Sequence, residues 1–307
     1  MLTSRERYRG ALLGLAAGDA VGTTVEFSPP GTFEPVSDMT GGGPFGLQAG
    51  EWTDDTSMAL CLAESLVECH GFDAADQMRR YLRWRDEGHL ASNGRCFDIG
   101  GTVNSALRRF ERSGDPWAGA TDPNTAGNGS IMRLAPVPLF YAADAALAIA
   151  MSGDSSRTTH GAATCIDACR YLGGLLVGAL RGATKDTLLA PLYHPVPGAT
   201  WIDLDPAIAD VAAGSFRHKS PPAIRGTGYV VESLEAALWA FYHADSFESG
   251  CLLAVNLGHD ADTTAAVYGQ LAGAYFGAAA IPRRWSDRLA KRDLIVALAD
   301  KLHDLAP

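Results

Sequence analysis

The chain has 307 residues, 47% of them hydrophobic, and a net charge of −10 from 25 basic and 35 acidic side chains. That is enough apolar material for a large core. The acidic balance excludes a general binder of nucleic acid or of an anionic membrane, since both need a basic face.

From the N-terminus, the segment MLTSRERYRG is charged, and Gly18-Asp19 breaks the apolar run that follows, so the start does not read as a signal peptide. No stretch approaches the roughly 18 apolar residues of a membrane span. Apolar residues recur at helical spacing over 4–21, 56–70, 73–84, 99–112, 161–181, 230–243, 246–257, 263–280 and 286–304. Asp73 and Asp245 each have an acid three residues on (Asp76, Glu248) and read as helix starts with a variant capping box. Residues 28–52 and 191–228, rich in proline and glycine, read as loops within one body rather than as linkers. No alternating strand and no strand–helix repeat is visible, so the expected fold class is all-α: one compact domain over 1–307. Cys61, Cys69, Cys96, Cys165, Cys169 and Cys251 lack zinc-site spacing and read as reduced core residues of a cytoplasmic protein, which is expected to be a monomer.

Glycine is unusually frequent for a helical chain, with 34 residues, although each weakens a helix interior by about 1 kcal/mol. Its placement gives a reason. Gly10, Gly14 and Gly18 are spaced by four, as are Gly269, Gly273 and Gly277, so each set shares one helix face. The two small-residue stripes predict close packing of the first helix on helix 263–280.

Between Gly10 and Met78 there are eleven acids and no lysine or arginine, and residues 251–282 also lack both. Thr53-Asp54-Asp55-Thr56 precedes one apolar helix, and Asp260-Ala261-Asp262-Thr263-Thr264 opens another. Capping accounts for either cluster alone. Two matching clusters, brought together by the glycine stripes, make an all-oxygen site suited to magnesium, manganese or calcium rather than zinc. With Glu26 as a fifth carboxylate, two divalent ions would leave about one net negative charge. Residues 41–50 lack the Gly-Lys-Ser/Thr ending of a phosphate loop. Gly127-Asn128-Gly129-Ser130, ahead of an apolar run, offers backbone N–H groups that can hold phosphate oxygens.

The motifs G-D-A-V-G at 18–22 with Glu26, W-T-D-D-T at 52–56, G-N-G-S-I-M-R at 127–133, T-T-H at 158–160 and D-A-D-T-T at 260–264 occur in the order seen in the ADP-ribosylglycohydrolases. From about residue 7 to 282 the chain resembles that family, in particular its dinitrogenase reductase activating glycohydrolases and their bacterial relatives. The resemblance implies an orthogonal multi-helix domain with a central binuclear cleft holding two Mg2+ (or Mn2+). It implies that Thr53, Asp54, Asp55, Asp260, Asp262 and Thr263 hold the metals and that Glu26 and Asp98 are catalytic. It also implies that Asn128, Gly129, Ser130 and His160 face phosphate and that Tyr229 stacks on substrate. The implied reaction removes ADP-ribose from a modified protein side chain, foremost arginine, without a covalent nucleophile. The implied partner is an ADP-ribosylated protein or ADP-ribose itself, with no membrane and no nucleic acid. Two departures, His259 where relatives often have glycine and Gly161-Ala162-Ala163 after His160, bear on the target rather than on the metal set.

Three other readings stay open on the sequence. One is an enzyme for serine-linked, nucleic-acid-linked or small-molecule ADP-ribosyl substrates. Another is a non-catalytic crystallin-like protein, which predicts lost ligands where this chain keeps them. The third, a metal-dependent phosphohydrolase, calls for more basic residues near the acids.

Overall fold

A computed structural model of the chain describes residues 2–306. Their helices are α1 (Ser4–Gly22), α2 (Asp54–Cys69), α3 (Ala74–Glu87), α4 (Gly101–Ser113), α5 (Pro136–Phe140), α6 (Ala145–Arg157) and α7 (Ala163–Leu180). After these come α8 (Lys185–Leu188), α9 (Pro206–Ala213), α10 (Val230–His243), α11 (Phe247–Val255), α12 (Ala261–Phe276), α13 (Arg283–Ser286) and α14 (Arg292–Leu305). No β-ladder forms among the described residues; extended pairing is limited to isolated bridges such as Gly127–Tyr229 and Ala120–His160. The all-α reading therefore holds.

The expected packing of α1 on α12 is present and antiparallel. A Cβ added at Gly10 would strike the Gly273 carbonyl, one at Gly14 that of Gly269, and one at Gly18 that of Ala265. At Gly22 it would strike the Asp262 backbone. Backbone thus touches backbone along the pair, and no side chain larger than hydrogen fits at these positions. Gly277 is not part of the stripe. It ends α12 in a left-handed conformation (φ 82°) against Leu2, and Ala265 takes the place in the row that Gly277 was expected to hold.

Helix starts follow local chemistry. The Asp73 carboxylate accepts from Asp76 N at 2.8 Å, as expected. Asp245 is not a cap: Ser246 caps α11, and the Ser249 hydroxyl completes the box. Five helices that periodicity did not announce are α5, α6, α8, α9 and α13. Helix α6 is rich in Ala, Ser and Gly; α8 is a single turn; α9 starts from Asp205-Pro206 inside the expected loop 191–228.

One expectation fails outright. Ala163–Leu180 spans 18 residues at mean hydropathy 1.3, long and apolar enough by length and composition to cross a membrane. Its window is 83% buried inside the fold, against α6 and the main core, which accounts for its apolar character. That main core joins α1, α2, α5–α7, α9–α12 and α14, and a smaller cluster (Met58, Tyr81, Trp84, Leu107, Phe110) ties α3 and α4 to α2. All six cysteines are unpaired thiols, but only Cys61, Cys165, Cys169 and Cys251 are core residues; Cys69 is exposed and Cys96 half-buried.

Candidate metal centre and cleft

Because α1 and α12 run antiparallel, the C-terminal end of α1 meets the N-terminal end of α12. Asp19, on the last turn but one of α1, is fully buried and fixes the third helix. Its Oδ1 accepts from Thr53 N at 2.9 Å and Thr53 Oγ1 at 3.0 Å. Its Oδ2 accepts from Thr56 N at 3.1 Å and Thr56 Oγ1 at 2.6 Å. The first turn of α2 is thereby tied to α1, and Asp55 is brought to Asp262, both within reach of the Thr53 hydroxyl. Both N-terminal dipole ends, partly positive, point at this cluster of anions.

The cluster is short of donors. Thr53 Oγ1 carries one proton but lies 3.0 Å from Asp19, 3.3 Å from Asp55 Oδ2 and 3.2 Å from Asp262 Oδ2. Thr263 Oγ1 lies 3.3 Å from Asp55 Oδ2. Asp55 Oδ1, Asp262 Oδ1 and Glu26 Oε2 are buried and meet no protein donor. Oxygens of Glu26, Asp98 and Asp262 lie within 4.8 Å of one another. Buried anions in this state demand a cation. The donor set is carboxylate and hydroxyl oxygen alone, which fits a hard divalent ion and not zinc.

A cleft of about 600 Å3 opens over the cluster, and no lysine or arginine lines it. Glu26, Asp54, Asp98, Asn128, Gly129, His160, Asp260 and Thr263 reach its surface. Thr53, Asp55, Asp262 and Ser130 lie buried and are not among the side chains that form its walls. Asp260 is aimed by Asn128, whose amide donates to its Oδ2 at 2.8 Å. The segment before α10 pairs with the 126–128 turn through Val230 N to Ala126 O (3.1 Å) and Asn128 N to Gly228 O (3.0 Å). Tyr229, 43% exposed, is carried by that segment beside a second hollow sharing Thr102, Gly127 and Gly228 with the cleft. Asp98 lies just ahead of α4, whose N-cap is Gly100. Its backbone is left-handed (φ 58°), a conformation that costs roughly 1–2 kcal/mol in an ordinary residue and is here spent on aiming a carboxyl at Glu26. Phe27 (φ 60°) and Phe45 form the rim on the Glu26 side, their rings 6.4 Å apart.

Burial raises every acid in the cluster whose proton affinity is perturbed. Asp19 is pushed up to about 6, burial outweighing its four hydrogen bonds. Asp98 rises to about 7 through burial and then the charge of Asp260. Glu26 rises to about 10 through burial and then Asp98, Asp260 and Asp55. Asp54, Asp55 and Asp262 are driven well above the usual range, by burial first and by neighbouring carboxylates second. These acids bind protons more tightly folded than unfolded. The stability they contribute is full below about pH 4, their unfolded range, and fades as pH rises through the folded values. In chelator, the melting temperature is expected to fall between about pH 6 and pH 8.5, and magnesium is expected to reverse the fall. A chelated protein whose melting temperature rises over that interval would contradict the acidic cluster.

Sequence reasoning quoted Asp19, Thr56 and Arg133 within motifs but gave them no role, and it missed Phe27 and Phe45. The signal for Asp19 was present, as an acid placed in an otherwise apolar helix next to the glycine stripe. The two rings carried no signal, since each lies in a loop whose course only the packing fixes.

The chain matches the ADP-ribosylglycohydrolase family model over residues 1–307. A protein of Pseudomonas putida (strain GB-1) named ADP-ribosylarginine hydrolase Tri1 is 47% identical, over 98% of this chain and 79% of that protein. The ADP-ribosyl-[dinitrogen reductase] glycohydrolase of Rhodospirillum rubrum is 32% identical, over 92% of this chain and 90% of that protein. A solved structure titled "ADP-ribosylglycohydrolase-related protein complex" superposes with a TM-score of 0.86 at 47% identity, covering all of both chains. With the metal-fitting cluster and the cleft in the same fold, the chain belongs to the ADP-ribosylglycohydrolase family.

Proposed function

We propose that the protein hydrolyses the N-glycosidic bond between ADP-ribose and an arginine guanidinium. The observation that carries this reading is the set of donor-less, buried carboxylate oxygens on Asp55, Asp262 and Glu26 at the base of a cleft that no lysine or arginine lines. The name of the 47% identical relative supports arginine as the linked residue.

Thr53, Asp54, Asp55, Asp260, Asp262 and Thr263 would hold two divalent cations, magnesium or manganese. Bound there, the cations would supply charge stabilisation and make water more acidic. The chain's own residues do the rest. Asn128 fixes Asp260, and the N–H groups of Gly129 and Ser130 with His160 offer donors to the diphosphate, those of Gly127 and Asn128 being held by Thr125 and Gly228. Tyr229 provides an exposed ring for the adenine. Hydrolysis adds hydroxide to the anomeric carbon and a proton to the departing guanidine. Asp98, whose carboxyl reaches the cleft surface beside Glu26, is the group placed to give or take that proton. Glu26, pushed up to about 10, holds its proton near neutral pH when no cation is bound. The remaining parts of the reading are a single domain acting as a cytoplasmic monomer on an ADP-ribosylated protein. The acidic charge and the unpaired cysteines support that setting.

The test is side-by-side turnover of arginine-linked, serine-linked and acetyl-linked ADP-ribose. Arginine-linked substrate is expected to be cleaved at least about tenfold faster than the others, a difference of about 1.4 kcal/mol. Preference for a serine or acetyl linkage would overturn the assignment of the target.

A further inference from the structure

Arg133 is fully buried, and its observed partners include no carboxylate. Its guanidinium donates to Gly129 O at 2.8 Å and to Thr159 Oγ1 at 2.6 Å, contacts Met58 Sδ at 3.8 Å, and lies 4.7 Å from the centre of the Tyr81 ring. A buried cation without a carboxylate partner is costly to keep. It stands directly behind the Gly127–Ser130 turn and His160, and the cleft in front carries no cation of its own.

The hydrogen bonds fix where the protons lie. Arginine only donates, so Thr159 Oγ1 is an acceptor toward Arg133. Thr159 is fully buried, and His160 Nδ1, 2.9 Å away, is the one acceptor its hydroxyl proton meets. A protonated Nδ1 would leave that hydroxyl proton without a partner, facing a second donor. The network therefore puts the imidazole proton on Nε2. That nitrogen faces Gly127 and Gly129: a Cβ would stand 3.4 Å from it at Gly127 and 3.1 Å at Gly129. Only glycine at position 129 leaves the ring edge open to the cleft, because a Cβ there would also lie 2.8 Å from Cε1.

We propose that Arg133, acting through Thr159, is a positioning residue that fixes His160 as the Nε2–H tautomer and so presents a neutral donor to an anionic phosphate oxygen in the cleft. Burial and the adjacent guanidinium also lower the His160 pKa to about 3, so the ring stays neutral through the physiological range. The proposal rests on the reading that a diphosphate occupies this cleft, and it adds the relay behind the donor.

The test uses the full-length protein labelled with 15N at histidine. The wild type is expected to show the Nε2–H tautomer of His160 at neutral pH; an Nδ1–H signal would overturn the relay. Thr159→Val, close in shape but without a hydroxyl, is expected to lose that tautomer preference and to bind ADP-ribose about tenfold more weakly. Thr159→Ser is expected to restore both. A Thr159→Val protein that keeps the Nε2–H tautomer, or that loses it with unchanged ADP-ribose affinity, would overturn the proposal. The nuclear magnetic resonance arm needs no ligand, so failure of the relay is distinguishable from failure of the functional reading.

Discussion

Asp262→Ala is expected to reduce ADP-ribosylarginine turnover at least about a thousandfold, since the metal-held charge stabilisation it removes is worth several kcal/mol. The carboxylate is fully buried; Oδ2 meets Thr53, and Oδ1 meets no donor. The same substitution is expected to raise the melting temperature of the chelated protein above about pH 7. It removes one acid that burial, Glu26 and Asp55 hold far above its usual range. A purely structural aspartate predicts the opposite pattern, loss of stability with activity falling in step. Activity assays beside melting curves in chelator and in magnesium separate the two. Near-wild-type turnover in Asp262→Ala would remove the metal centre from the mechanism.

The second large effect is expected at Gly273→Ala, far from the chemistry. In an isolated helix this change would stabilise by about 1 kcal/mol. Here the added Cβ would strike the Gly10 carbonyl and stand 3.2 Å from Ala11 N. Backbone cannot yield by changing rotamer, so α1 and α12 must separate. Overpacking of this kind costs typically 1–3 kcal/mol and occasionally more, so a fall of several degrees in the melting temperature is expected. Because α12 also carries Asp262 opposite Gly22, cation affinity is expected to weaken in the same variant. A Gly273→Ala protein that melts at or above the wild type would show that the two helices do not touch at this point.

The part of the fold legible in sequence was the part written in periodicity. The stripe of Gly10, Gly14 and Gly18 against Gly269 and Gly273 predicted the α1–α12 contact, and through it the meeting of the two acidic clusters. Helix α6 was missed because Ala145–Arg157 carries small residues where periodicity needs large ones; packing on α7, with Gly173 against Ser152, makes it a helix. Ala163–Leu180 shows the converse, a run apolar enough for a membrane that serves as a core helix. At the site, the carboxylates were legible because their segments lack lysine and arginine. Their alignment was not. Asp19 makes four hydrogen bonds to residues 34 to 37 positions away, and nothing local in its helix announces them. Asp98 was placed by family resemblance alone, because nothing in its local sequence marks the left-handed turn that aims it.

The most direct test of the account is release of ADP-ribose from an ADP-ribosylarginine protein, measured with magnesium, with manganese, with chelator, and with metal restored after chelation. The account predicts release with magnesium or manganese, none with chelator, and recovery when the metal is returned. Undiminished release in chelator, from protein shown to be free of metal, would contradict it.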